Sequence, residues 1–491
     1  MTLNSLLQSA GMAKVLADPE ISGLSYDSRT TAPGDLFFAL PGEKVDGGQF
    51  CRDAVSRGAA AIVAASQPAD VDAPTVLVEN PRAAMGALAA AFHGHPANDL
   101  KCVGVTGTNG KTTTAFLVQH LFEAAGQSCG LLGTIKYVVA GRELPASRTT
   151  PESVDLQSML AQIREAHGRA VAMEVSSHAL VQNRVDGITF DAAVFTNLTQ
   201  DHLDFHGSMD AYFEAKALLF EKLFNAPGRK GTAIINADDR YGHRLIERVE
   251  KRVKLVTFGR GVNAGFRASA IRFEGGLTTF QLDARRKSYL VRLPLIGLFN
   301  VYNALGALAA ATACGVELRA SVAALATAPQ VPGRLERVLS KRNFQVYVDY
   351  AHTDDALRNV LRTLRELNPQ RLITVFGCGG DRDRAKRPLM GAASAGLSDV
   401  SIITSDNPRS EDPATILRDI EAGMNGRAFE TIEDREEAIR HAIDIAQPGD
   451  IVLVAGKGHE KTQEFRDRKI AFDDVAVAGR AISSKRTETL A

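Results

Sequence analysis

Residues 101–122 read Lys-Cys-Val-Gly-Val-Thr-Gly-Thr-Asn-Gly-Lys-Thr-Thr-Thr-Ala-Phe-Leu-Val-Gln-His-Leu-Phe. The apolar run Cys102–Val105 predicts a strand, Thr106–Thr114 a glycine-bearing loop, and Ala115–Phe122 a helix. In that context, backbone N–H groups and a helix N-terminus can hold a phosphate chain. Gly107 and Gly110 let the backbone approach the anion, Lys111 can neutralise the outer phosphates, and the Thr112 hydroxyl can reach Mg²⁺. The strict eight-residue phosphate-loop pattern wants glycine at 105, where this chain has Val105. The bland alternative is a glycine turn with a surface lysine. The expectation is a nucleoside triphosphate site contacted by Gly107, Thr108, Asn109, Gly110, Lys111, Thr112 and Thr113.

Working outward, 491 residues suggest about three domains at roughly 150 residues each. Hydrophobic residues make up 45% and charged residues 23%, enough apolar material for several cores. Fifty-seven basic and fifty-seven acidic residues cancel, so no nucleic-acid or membrane footprint is expected. The five cysteines are scattered, with no metal-binding spacing, which fits free thiols in a reducing compartment. The N-terminus lacks a basic region followed by a long apolar stretch, and runs such as Ala304–Val316 are too short to cross a bilayer. A soluble, cytoplasmic, monomeric protein is expected.

Three blocks emerge, each of α/β character. Residues 1–98 carry short strand-like runs, and His93–Asn98 reads as a linker. Residues 99–331 hold the phosphate loop and strand candidates Ala170–Val175, Ala192–Thr196 and Thr232–Asn236, so a mainly parallel sheet is expected. From Val253 to Ile296 the pattern predicts an antiparallel annex with a turn at Glu274-Gly275-Gly276. Residues 332–491 have three apolar runs, Leu372–Phe376, Val400–Thr404 and Ile451–Val454, each entering a polar loop. In doubly wound sheets, ligands bind where such loops meet the strand ends.

Several residues could carry chemistry. Glu174, near a strand end, is a candidate Mg²⁺ ligand, although a strand-end carboxylate is often just solvated or paired. His202 lies in the polar run Asn197–Asp204 and could ligate metal or merely cap the next helix. Lys216 shares a helix face with Tyr212 and Phe220, an odd place for an ammonium. It could snorkel outward, or lose its charge and take up CO₂ as a carbamate that serves Mg²⁺ like a carboxylate. Arg409, after Asp406-Asn407-Pro408, suits bidentate capture of a carboxylate, and Asp406 and Glu460 could hold an ammonium. A turn with an exposed arginine is the structural alternative.

Together, Asp27-Ser28-Arg29, Thr106–Thr114, Glu174–His178, Asp201–Asp204, Ala215-Lys216, Asn300–Asn303, Gly333-Arg334, Asp349–His352 and Asp406–Arg409 resemble the Mur ligases over almost the whole chain. These are ATP-dependent amide-forming enzymes of peptidoglycan precursor synthesis. Asp354 departs from the proline usual there. The resemblance implies an N-terminal UDP-sugar domain, a central ATPase with a small antiparallel annex, and a Rossmann-like C-terminal domain. It implies that Tyr26, Ser28 and Glu43, Lys44 and Val45 contact the uridine part, and that Thr149, Thr150, Ser176, Gln182 and Arg184 hold the sugar-peptide. Asn300, Arg334 and Asp349 would join the ATP contacts. Lys216, as N6-carboxylysine, would act with Thr112, Glu174 and His202 around Mg²⁺, with Lys111 and this set forming the catalytic group. Arg382, Asp406, Asn407, Pro408, Arg409, Gly456 and Glu460 would bind the incoming amino acid.

The implied reaction phosphorylates the D-glutamyl carboxylate of UDP-N-acetylmuramoyl-L-alanyl-D-glutamate with ATP, and an amine then attacks the acyl phosphate. Bringing two anions together needs Lys111 and Mg²⁺. The acyl phosphate needs a water-poor cleft. Arg409 favours meso-2,6-diaminopimelate, whose second carboxylate lysine lacks. A lysine-adding relative and a folylpolyglutamate synthetase-like ligase are the alternatives within the enzyme class. A nucleotide-gated binding protein is the alternative outside it.

Overall fold

A computed structural model describes residues 1–42, 46–224, 230–340 and 342–485. The chain divides into two compact units. The first comprises residues 1–269, 282–289 and 302–324, and the second comprises 270–281, 290–301 and 325–491.

The first unit begins with a four-stranded parallel sheet, Gly23–Ser25, Asp35–Phe38, Ala61–Ala64 and Thr75–Leu77, in that order. Leu36, Phe38, Ala61 and Val63 meet Leu3, Leu6, Met85 and Leu88 from two helices in one apolar cluster. Next comes the strand Lys101–Thr106, which sits inside the large sheet between Ala170–Glu174 and Ala192–Phe195, parallel to both. All three are buried apart from Lys101, so their side chains read as near-continuous apolar runs rather than alternating ones. Helix Met209–Glu221 presses Phe213, Ala217, Leu219 and Phe220 into the core formed with Phe190, Phe195 and Met173. Burying each such aromatic contributes on the order of 2–3 kcal/mol.

The expected antiparallel annex is corrected at its start. Strand Lys254–Gly259 pairs in parallel with Thr232–Asn236, so it extends the main sheet. Alternating half-burial begins only with Phe266–Glu274, Leu277–Ala284 and Lys287–Leu293. The residues of those three strands are divided between the two units. Two-residue turns join them, Gly275-Gly276 and Arg285-Arg286, with positive φ at all four residues, as a right-twisting hairpin demands. At the opposite sheet edge, Lys136–Val139 and Arg142–Pro145 form an antiparallel hairpin absent from the sequence reading.

The second unit holds a six-stranded sheet ordered Glu336–Val338, Gln345–Asp349, Ile451–Ala455, Leu372–Phe376, Val400–Ile403, Glu430–Thr431. Only the first pairing is antiparallel. Leu372 and Leu453 pack with Leu357, Leu361 and Ile420 on one face, while Ile373 and Val452 pack with Ile439, Ile443 and Val477 on the other. Helices therefore cover both sides, as in doubly wound folds. Among the described residues, no helix is long and apolar enough to cross a membrane, and all five cysteines are free thiols.

Candidate active site

The loop after Lys101–Thr106 takes its shape from two glycines. Gly107 has φ 148° and Gly110 φ 86°, both backbone conformations that favour glycine. Gly110 precedes helix Lys111–Ala124 and, as its N-cap, contributes no side-chain cap of its own. The N–H groups of its first turn and the helix dipole favour an anion at this end. The neighbouring strand end braces the loop. Thr196 Oγ1 donates to the Asn109 carbonyl at 2.6 Å, Asn109 N–H donates to Asn197 Oδ1 at 3.0 Å, and Thr108 N–H donates to the Asn197 carbonyl at 2.9 Å.

Two lysines converge on a single carbonyl. Lys111 Nζ donates to Gly107 O at 2.9 Å and to Thr108 O at 2.9 Å, and Lys216 Nζ donates to Gly107 O at 2.9 Å. Lys216 is 1% exposed. Burial, followed by the nearby Lys111 ammonium, pushes its amine well below the ordinary lysine range. The Tyr212 ring lies beneath the amine, 4.4 Å from its centroid. Tyr212 also meets the His202 ring at 6.1 Å, stacks on His206 at 4.8 Å, and accepts a hydrogen bond from Thr108 Oγ1 at 3.4 Å. Tyr212 appeared in the sequence only as a face-mate of Lys216, yet it gathers the lysine and the histidines.

Of the expected metal donors, Thr112 Oγ1 donates to Glu174 Oε2 at 2.9 Å. Glu174 also accepts from Thr134 N–H at 2.8 Å and Thr134 Oγ1 at 3.1 Å. Hydroxyl and carboxylate oxygens are the donor types a hard cation such as Mg²⁺ takes, so this pair fits the ion. His202 has φ 52° and packs edge-on against His178, with ring centroids 5.0 Å apart. Burial lowers its pKa, which favours the neutral ring a metal needs. Among the described residues, no group of three or more His, Cys, Asp or Glu is placed to hold a metal, so this donor set depends on the Thr112 hydroxyl and on Lys216.

The residues expected to hold the sugar-peptide adjoin Glu174. Thr150 Oγ1 donates to the Glu174 carbonyl at 2.8 Å and accepts from Ser176 N–H at 3.2 Å. Thr149 Oγ1 is 3.0 Å from Thr134 Oγ1. Arg184 donates to the Thr150 carbonyl at 3.1 Å and to Gln182 Oε1 at 2.5 Å. Buried Glu152, which the sequence reading missed, faces Arg184 at 3.1 Å and Arg82 at 3.4 Å. Tyr26 donates to Asp155 Oδ2 at 2.6 Å, and Ser28 is buried in a single turn, Ser28–Thr30. Glu43, Lys44 and Val45 lie outside the described residues.

In the second unit, the polar loops sit at the carboxyl ends of Leu372–Phe376, Val400–Ile403 and Ile451–Ala455. Asn407 Nδ2 donates to Glu460 Oε2 at 2.8 Å, and fully buried Lys457 donates to that same oxygen at 3.0 Å and to Asn407 Oδ1 at 2.8 Å. Burial would raise the Glu460 carboxyl, but Lys457 and Asn407 outweigh it and hold the group below its ordinary range. Gly456 lies so close to Asp406 that a Cβ there would stand 2.4 Å from Oδ2. Arg409 follows Pro408 with φ 51°. Its Nη1 donates to the Gly380 carbonyl at 2.6 Å, and its Nε lies 3.5 Å from Glu464. Arg382 is exposed. Asn300, Arg334 and Asp349 also belong to this unit. Asn300 Nδ2 donates to the Ile296 carbonyl, the Arg334 guanidinium lies over Tyr350, and the Asp349 carboxyl, pushed up by burial, accepts from Leu335 and Ala351 N–H groups.

Three sequence families match the chain: the Mur ligase family, catalytic domain at residues 20–93, the Mur ligase middle domain at 105–311, and the Mur ligase, glutamate ligase domain at 333–458. A UDP-N-acetylmuramoyl-L-alanyl-D-glutamate--2,6-diaminopimelate ligase of Solibacter usitatus is 49% identical over 487 residues, covering 97% of each chain. A ligase of the same name from Geobacillus kaustophilus is 49% identical over 476 residues, covering 95% of this chain and 96% of its own. A solved structure of a ligase so named is 34% identical, with TM-score 0.73 and 99% of both chains covered.

Proposed function

Because this chain belongs to the Mur ligase family, we propose that it is an ATP-dependent ligase joining meso-2,6-diaminopimelate to the D-glutamyl carboxylate of UDP-N-acetylmuramoyl-L-alanyl-D-glutamate. The observation that carries the ATP-dependent chemistry is the glycine loop entering helix Lys111–Ala124 at Gly110, with Lys111 and Lys216 both turned onto the Gly107 carbonyl. The relatives named above support the choice of substrates.

ATP meets this loop with its phosphates on the N–H groups of residues 110–113. Lys111 leaves the carbonyls of Gly107 and Thr108 to neutralise the transferring phosphoryl group, which offsets its repulsion from the incoming carboxylate. Thr112, Glu174, His202 and a carbamylated Lys216 would hold Mg²⁺, which would supply charge neutralisation when bound. Burial, followed by the Lys111 ammonium, lowers the basicity of the Lys216 amine and so favours the neutral form that takes up CO₂. Thr149, Thr150, Ser176, Gln182 and Arg184 orient the sugar-peptide so that its D-glutamyl carboxylate becomes the acyl phosphate. The diaminopimelate amine then displaces phosphate. Asp406 and Glu460 hold one of its ammonium groups, and Arg409 holds the far carboxylate.

Oxygen-18 placed in the D-glutamyl carboxylate tests the reaction. One labelled oxygen is expected in the inorganic phosphate released with ADP, and only when the amino acid is present. Phosphate that stays unlabelled while tripeptide accumulates rules out the acyl phosphate.

A further inference from the structure

The loop after Leu372–Phe376 and the loop after Val400–Ile403 are fastened together near Arg409. Gly380 N–H donates to the Asn407 carbonyl at 2.9 Å, Arg409 Nη1 donates back to the Gly380 carbonyl at 2.6 Å, and Ser410 Oγ donates to Asp381 Oδ1 at 2.5 Å. The centre of this fastening is Glu411, whose side chain is 12% exposed. Its carboxylate accepts from Asp381 N–H at 2.7 Å, from Arg384 Nη2 at 2.6 Å, and from both terminal nitrogens of Arg387 at 2.8 and 3.1 Å. Arg387 is fully buried, and its Nη1 also donates to Asp419 at 2.9 Å. A core role needs only the Arg387 contacts. The bonds to Asp381 and Arg384 instead reach the loop that carries Arg382. Gly379, on that loop, has both arginines beside it: a Cβ there would lie 3.0 Å from Arg409 Nη1 and 3.9 Å from Arg382 Cγ.

We propose that Glu411 is a positioning residue for amino-acid selection, setting the spacing between the Arg382 and Arg409 side chains so that they receive the carboxylates of a diamino diacid. This rests on the reading of Arg409 given under the proposed function. Four hydrogen bonds to one carboxylate leave the loops little freedom, so the two guanidiniums meet the ligand already arranged. Such preorganisation shows in affinity for the ligand rather than in the chemical step.

The test compares wild type, Glu411→Gln, and the double variant Glu411→Gln with Arg387→Met, which removes the buried charge that the single change leaves undercompensated. KM and kcat are measured for diaminopimelate, lysine and ATP with the full chain. In both variants the diaminopimelate KM is expected to rise about 10- to 100-fold, the scale of one or two misplaced charge-assisted hydrogen bonds. The ATP KM and kcat should stay within about threefold, and the preference for diaminopimelate over lysine should shrink by a similar factor. A folded variant with unchanged diaminopimelate KM, or with all three constants shifted together, overturns the positioning role. Wild type that takes lysine as readily as diaminopimelate instead overturns the underlying reading of Arg409, and the proposal with it.

Discussion

Replacing Gly107 with alanine puts the phosphate-loop reading at risk in a measurable way. At φ 148° an alanine is strained, at a cost on the order of 1–3 kcal/mol. Its methyl would also stand 1.9 Å from Thr196 Oγ1 and 3.0 Å from the Asn197 carbonyl. Thr196 cannot rotate away freely, because its hydroxyl holds the Asn109 carbonyl at 2.6 Å. Losing that buried hydrogen bond costs about 0.5–1.5 kcal/mol. The variant loop relaxes out of this shape in the free protein and must be restored to it on ATP binding, so the two effects together weaken binding by about 2–4 kcal/mol, or roughly 30- to 1000-fold. Titration calorimetry with a non-hydrolysable ATP analogue reads this directly. The double variant Gly107→Ala with Thr196→Ala separates the causes: it removes the steric contact but neither the backbone strain nor the loss of the Thr196 hydrogen bond, so binding should stay about tenfold or more weaker than wild type. Wild-type affinity in the single variant, or full recovery in the double, would refute the argument.

Lys216→Met keeps the length of the buried stem and removes its ionisable head. Turnover should fall on the order of 10³-fold or more, while the urea midpoint holds or rises because a desolvated amine is gone; a parallel loss of fold would contradict this. Arg409→Ala should raise the diaminopimelate KM by about 2–4 kcal/mol equivalent with the ATP KM unchanged in steady-state assays. Arg387, bonding to Glu411, is the main cause that holds this carboxyl at about 2, against an ordinary 4.5. A depressed carboxyl contributes stability that is present above its unfolded pKa and lost as pH falls through the folded one. Between pH 4.5 and about 2, wild type should therefore lose stability that Glu411→Gln does not, as read from denaturant midpoints across that range.

Local chemistry was legible in the sequence and distant pairing was not. Strand, loop and helix over residues 101–124 could be read directly, because each follows from neighbours within a few positions. The runs Leu372–Phe376 and Ile451–Ala455 could be read as strands for the same reason. Lys216 stood out as an ammonium on an apolar face, but its acceptor, Gly107 O, comes from a loop more than a hundred residues earlier. Glu152 gave no signal, since Arg82 and Arg184 reach it from two other segments. Strand Lys254–Gly259 falls with the annex on sequence because its residues grade from exposed to buried and form no continuous apolar run of the kind the buried parallel strands show. The turn at Arg285-Arg286 carries no glycine, so only the structure shows two arginines in left-handed backbone. The clasp at Glu411 is likewise a product of two strand ends brought side by side.

The placement of Lys101–Thr106 inside its sheet has a consequence for biosynthesis. Val103 pairs with Ala172 on one side and Ala192 on the other, and Asn303 reaches back to Thr114 at 3.4 Å. A ribosome must therefore deliver some two hundred further residues before the nucleotide loop has all its neighbours. Pairings so remote in the chain close slowly, and partly made chains expose unpaired strand edges while they wait. ATP cannot template the early stages of this fold. During refolding, nucleotide affinity should return well after helical content does.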